Sequence, residues 1–220
     1  MNSFTNSVLL FFSILLIGFC IYVGYDVQID FLHTSGRNLP FQSYVYLAFG
    51  ILFFGLLGWR SVRRWMGIYI VNKTSRFVWN VPTSNKRKKR VVTYTLLEVL
   101  VMGSLTFAFY FLMESWILPG AILLFFCLES IFFLVVGYRN RFRVGVSSKA
   151  IIAADREVVI VYFTGLQKIT LGKDSIYFDY IKELQLLFPT DCLEEDQISV
   201  FKEQVQKMID RDKVLIRNID

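Results

Sequence analysis

Between Arg60 and Arg90 the chain carries ten Lys and Arg and no Asp or Glu, and this acid-free stretch separates two pairs of long apolar runs. The runs are Val8–Tyr25, Phe41–Trp59, Tyr94–Met113 and Trp116–Tyr138. At the rise of an α-helix each reaches roughly 27–35 Å, the thickness of a bilayer's hydrocarbon core. A backbone in lipid must satisfy its own hydrogen bonds, so such runs fold as helices. The expectation is four transmembrane helices. Lys and Arg of short loops stay on the cytoplasmic side. The basic stretch and both chain ends are therefore expected in the cytoplasm, with the protein in the cell's inner (cytoplasmic) membrane. Tyr22, Tyr25, Trp59, Tyr94, Trp116 and Tyr138 fall near the expected span ends, where amphipathic rings prefer to sit. Glu114–Ser115 would join the last two spans as a tight antiparallel hairpin. The first run lacks a basic n-region and a small-residue cleavage pattern, so it reads as an uncleaved span.

The net charge of +6 is unevenly distributed. Residues 138–220 hold thirteen basic and thirteen acidic side chains, and all of the excess lies in the stretch from Arg60 to Arg90. Arg60, Arg63, Arg64, Lys86, Arg87, Lys88, Lys89 and Arg90 are expected at the membrane surface, each worth about 1 kcal/mol against anionic headgroups. An excess placed directly between two spans points to lipid rather than nucleic acid. Cys20 and Cys127 lie inside spans and Cys192 in the tail, so no disulfide framework is implied.

The organisation expected is spans one and two over 1–59, a basic cytoplasmic loop over 60–93, spans three and four over 94–138, and a cytoplasmic domain over 139–220. Within the loop, Met66–Val71 and Arg76–Val81 are β-branched and aromatic, separated by Asn72-Lys73-Thr74-Ser75. That pattern predicts a β-hairpin, the alternative being an interfacial helix with Trp65, Ile68 and Val71 on one side. After residue 139, short β-rich runs at Arg141–Val146, Lys149–Ala154, Glu157–Phe163, Gln167–Leu171, Ser175–Tyr180 and Leu184–Phe188 predict strands. Leu193, Ile198, Phe201, Val205, Met208 and Ile209 then recur at mostly helical spacing, predicting an amphipathic closing helix. Asp191 and Glu194 have the spacing of a capping box. The loop and tail are expected to fold together, because 80 residues alone are near the lower limit for a core.

Seven strands and a closing helix outline a pleckstrin-homology-like (PH-like) barrel. The stretch REVVIVYFTGLQKITLGKDSIYFDYIKELQLLFP, followed by LEEDQISVFKEQVQKMI, resembles small membrane-attached bacterial PH-like proteins. The arrangement with a span pair between two parts of the module is similar to YcxB-like proteins. The resemblance implies a β-rich PH-like module serving as a membrane-anchored scaffold or binding element.

Glu129, in LLFFCLESIFFLVV, is the most costly residue in lipid, and Glu98 lies in the same half of the membrane. Either the two carboxylates share a proton along a path between helices, or each is satisfied locally. The local partners expected are Ser13, Ser104 or Thr106 for Glu129, and Arg90 or Lys89 for Glu98. Asp26, Asp30 and His33 are the only set resembling metal ligands, and exposed Asp with a lone His is ordinarily surface; no metal, cofactor or catalytic residue is expected. With a single His, a Ser-His-Asp or Cys-His arrangement cannot form in the tail. The expected function is a non-enzymatic binding or scaffold element with a protein partner or a second copy. The alternative is a small oligomeric pore, transport or defence effector that uses Glu129.

Overall fold

The computed structural model describes residues 2–29, 33–112, 117–172, 175–181, 184–209 and 214–218. Among the described residues there are five α-helices: α1 (Asn2–Gly24), α2 (Gln42–Val71), α3 (Asn85–Leu112), α4 (Ile117–Val136) and α5 (Glu195–Met208). Among the described residues, α2, α3, and α4 with its continuation to Arg141 are long and apolar enough to cross a membrane. The part of α1 with described side chains, Phe11–Gly24, is a shorter apolar helix. The expected turn at Glu114–Ser115 lies outside the described residues. The chain divides into two compact units, Met1–Val62 with Tyr94–Phe133, and Arg63–Thr93 with Leu134–Asp220.

The first unit is helical. Leu16, Cys20, Val23, Tyr46, Phe53, Leu57, Leu105, Phe109, Leu123 and Phe126 form its interior. Its outside is equally apolar: Ile14, Ile51, Phe54, Leu100, Phe107, Phe125 and Leu128 are exposed. An apolar exterior of this extent suits lipid, since soluble proteins rarely expose large apolar patches. Gly50 and Gly58 of α2 lie against Leu118 and Phe126 of α4, whereas Gly18, Gly55 and Gly103 face open space. After α1 the chain makes a two-stranded ribbon, β1 (Gln28–Ile29) and β2 (Thr34–Ser35). Gly36 makes this possible, because a Cβ there would run into the Tyr22 carbonyl.

The second unit holds two sheets and α5. β3 (Trp79–Pro82), β4 (Arg143–Val146), β5 (Ala150–Ala154) and β6 (Val158–Tyr162) form an antiparallel meander in that order. β7 (Leu166–Leu171), β8 (Ser175–Tyr180) and β9 (Gln185–Pro189) form a second antiparallel meander. β10 (Leu215–Asn218) joins it in parallel beside β7. Loop and tail thus fold together through the β3–β4 pairing. Phe201 of α5 closes the core between the sheets: its ring stacks on Phe188 of β9 at 5.1 Å and lies 5.6 Å from Trp79 of β3. Phe201 and Val205 of α5 are buried, with Ile198 and Met208 partly buried beside them and Leu193 and Ile209 buried just outside its ends, as the sequence spacing predicts.

The loop itself departs from expectation. Met66–Val71 is no strand: it is the last part of α2, with Gly67, Ile68 and Val71 buried and Met66 and Tyr69 exposed in helical register. The costly nucleus of a helix already exists upstream, so extending α2 by three turns outweighs the β preference of Ile68, Ile70 and Val71. Only Trp79–Pro82 is a strand, and its partner is β4 rather than a hairpin neighbour. At the other end, Lys86–Arg90 form the first turns of α3 rather than a loop.

Candidate functional site

Two sets of polar side chains stand out. In the first unit, consecutive residues of α2 engage the two membrane carboxylates. Arg60 forms an ion pair with Glu98 on α3, and the Ser61 hydroxyl donates to Glu129 Oε1 on α4 at 2.9 Å. Three of the side chains expected from sequence as their partners bond elsewhere. Ser104 and Thr106 donate back to Leu100 and Met102 of their own helix, and Arg90 pairs with Asp191. A carboxylate that accepts from a guanidinium or hydroxyl loses much of the penalty of burial in lipid. Along this part of α2, Val62, Met66 and Tyr69 keep an apolar stripe exposed, while Arg64 is only 3% exposed.

The second set ties the start of α3 to the β-rich unit. Lys86–Arg90 place five cations at the positive end of a helix dipole, an unfavourable position. Acids answer them. Arg87 Nε donates to Asp155 Oδ2 at 2.7 Å, in the turn between β5 and β6, and Nη1 lies 3.6 Å from Asp191 Oδ1. Asp191 also pairs with Arg90. Asp155 is buried, and its other oxygen accepts the Glu157 amide at 2.8 Å. One guanidinium therefore joins the turn of the first sheet to the segment leaving the second.

Ser84 caps α3. Its hydroxyl accepts the Arg87 amide at 3.1 Å and donates to the Asp191 carbonyl at 2.6 Å, and its amide donates to the Cys192 carbonyl at 2.9 Å. The capping box expected for α5 does not form: Asp191 takes the arginines, and Glu194 Oε1 accepts the Asn85 amide of α3 at 2.8 Å. The acids near residue 191 thus stabilise a different helix, more than a hundred residues away in sequence. Cys192 is buried beside them. Burial, with Asp155 adding to it, pushes its thiol up to about 12, so it is a protonated packing group, not a nucleophile.

The eight basic residues grouped by sequence as membrane-surface cations separate accordingly. Arg60, Arg87 and Arg90 are paired, Arg64 is buried and Arg63 half-buried. Lys86 and Lys89 are exposed, and Lys88 donates to Asn140 Oδ1 at 2.6 Å. Sequence reasoning missed Ser84, Asp155, Asp191 and Glu194 as partners because the pairing spans distant segments and leaves no local pattern.

Of the loop set, Asp26 accepts the Arg37 amide at 2.9 Å, which holds its carboxyl below the usual range, and Asp30 lies outside the described residues. Among the described residues no group of three or more His, Cys, Asp or Glu is placed to hold a metal ion. No family model, curated protein or solved structure matches this chain.

Proposed function

We propose that this chain is a four-span inner-membrane protein, with both ends cytoplasmic, whose PH-like module acts as a non-enzymatic, membrane-anchored binding and scaffold element. The observation that carries this reading is the joint at Ser84 and Arg87. It builds the start of an apolar helix into the β-rich unit by three hydrogen bonds, from Ser84 to Asp191 and Cys192 and from Asn85 to Glu194, and an ion pair. A module meant only to be tethered needs no such joint. The four-strand meander, three-strand meander and following helix support the PH-like reading, since that order is the outline of the family it resembles. The 23 residues of α1 support a fourth span, as its length suffices for the hydrocarbon core. The absence of acids between Arg60 and Arg90 supports the cytoplasmic orientation.

The β9 edge is the binding surface. Among the described residues β9 ends its sheet, and Leu187 on β9 and Ile181 and Leu184 in the connection leading to it are exposed, at 49%, 57% and 54%. An open edge with apolar side chains accepts an extended segment of a partner protein as an added strand. A photo-crosslinking residue at Leu187 in cells is expected to give a discrete adduct with another polypeptide or a second copy, and the same residue at Glu203 on α5 is not. Equal, diffuse labelling from both positions rules the reading out.

A further inference from the structure

We infer that three helix ends in the second unit form a binding site for the headgroup of an anionic phospholipid. The inference rests on the membrane reading above and names the lipid partner and where it sits. The three ends are Asn72–Lys73 after α2, Lys88–Lys89 in α3 and Tyr138–Arg141 after α4. Two hydrogen bonds bring them together. Asn72 Nδ2 donates to the Arg141 carbonyl at 2.8 Å, and Lys88 Nζ donates to Asn140 Oδ1 at 2.6 Å. Asn140 adopts the left-handed conformation (φ 60°) that turns the chain from α4 toward β4, and Asn tolerates this better than most residues.

Charge selects the ligand class. These three segments carry Lys73, Lys88, Lys89, Arg139 and Arg141, and among the described residues none of them makes an ion pair. Arg87 and Arg90, on the same stretch of α3, are fully engaged by Asp155 and Asp191. The fold neutralises one side of this basic helix start and leaves the other open to an external anion. Lys73 already rests on an aromatic face, with Nζ 4.1 Å from the Tyr69 ring centre.

Apolar neighbours select lipid over free phosphate. Met66, Tyr69, Val135 and Tyr138 of the same unit are exposed, Tyr138 at 75%. A site with cations at a span end and apolar and aromatic side chains on the span side matches a headgroup with its acyl chains below. Inorganic phosphate gains nothing from those side chains.

The test uses the full chain in detergent and follows thermal unfolding on addition of short-chain phosphatidylglycerol, phosphatidylcholine of the same chain length, or inorganic phosphate. Phosphatidylglycerol is expected to stabilise the protein, and the other two are not. Arg139→Gln with Arg141→Gln is expected to weaken that response on the order of ten-fold, while Lys202→Gln with Lys207→Gln on α5 leaves it intact. Equal stabilisation by phosphatidylcholine, equal stabilisation by phosphate, or an unchanged response in the folded double variant overturns the site. If the Arg139/Arg141 variant aggregates, Lys73→Gln with Lys89→Gln decides by the same criterion. Loss of the lipid response with the Leu187 adduct retained sinks this site alone; loss of the adduct with the lipid response retained sinks only the binding role.

Discussion

The Ser84 hydroxyl donates to the Asp191 carbonyl at 2.6 Å while accepting the Arg87 amide at 3.1 Å, so one side chain caps a helix and fastens it to a turn 107 residues further on. Ser84→Ala removes both bonds at a position only 2% exposed. The expected cost is roughly 1–3 kcal/mol, combining a lost N-cap with a lost buried hydrogen bond. Denaturant unfolding in detergent, read by a Trp79 signal, checks it; an unchanged midpoint would mean that the joint does not hold the module.

Arg87 and Asp155 form a largely buried ion pair in the module, their side chains 16% and 6% exposed. Arg87→Met leaves the Asp155 carboxylate buried without its cation and is expected to cost about 3–5 kcal/mol. Adding Asp155→Leu should recover much of that loss, because the pair's desolvation then disappears with it. A double-mutant cycle showing simple additivity would contradict the pairing.

Gly67 is a helical residue that resists replacement by a better helix former. A Cβ there falls against Val158 Cγ2 at the start of β6. Gly67→Ala gains about 1 kcal/mol of helix propensity, yet steric strain of about 1–3 kcal/mol is expected to dominate. Val158→Ala should turn Gly67→Ala from destabilising to neutral or better. The comparison of four melting curves settles it.

Cys192 links stability to alkaline pH. Its thiol is pushed from 9.0 to about 12, chiefly by burial, so between those values the folded chain holds a proton that the unfolded chain releases. The contribution is complete below pH 9 and is lost as pH rises toward 12. Cys192→Ala should therefore lose less stability than the parent between pH 9 and pH 11. At pH 8 the native thiol should react with a disulfide reagent far more slowly than the unfolded one. Fast native labelling would show that Cys192 is not enclosed.

Much of the β-rich tail was legible, strand by strand. Runs such as Lys149–Ala154 and Ser175–Tyr180 are short, β-rich and bounded by turn residues, and the core they build is local. The stripe of α5 was legible for the same reason. Met66–Val71 was misread because its composition suits a strand, whereas its conformation is set by the helix it continues. The ends of α2 and α3 were misplaced because charge marks where the solvent changes, not where i to i−4 hydrogen bonding stops. The carboxylates Glu98 and Glu129 were identifiable from their rarity in apolar runs, but their donors Arg60 and Ser61 were not.

The sequence by itself determined which segments must be helical and apolar, where the positive charge lies, and which positions of the tail point inward. Those properties follow from periodicity and composition, which act between near neighbours. Only the tertiary structure decided that the Glu194 carboxylate accepts the first amide of α3, that Arg87 reaches Asp155, and that Lys88 reaches Asn140. A charge acts through space on whatever group the fold brings within a few ångströms, and that neighbour can lie a hundred residues away.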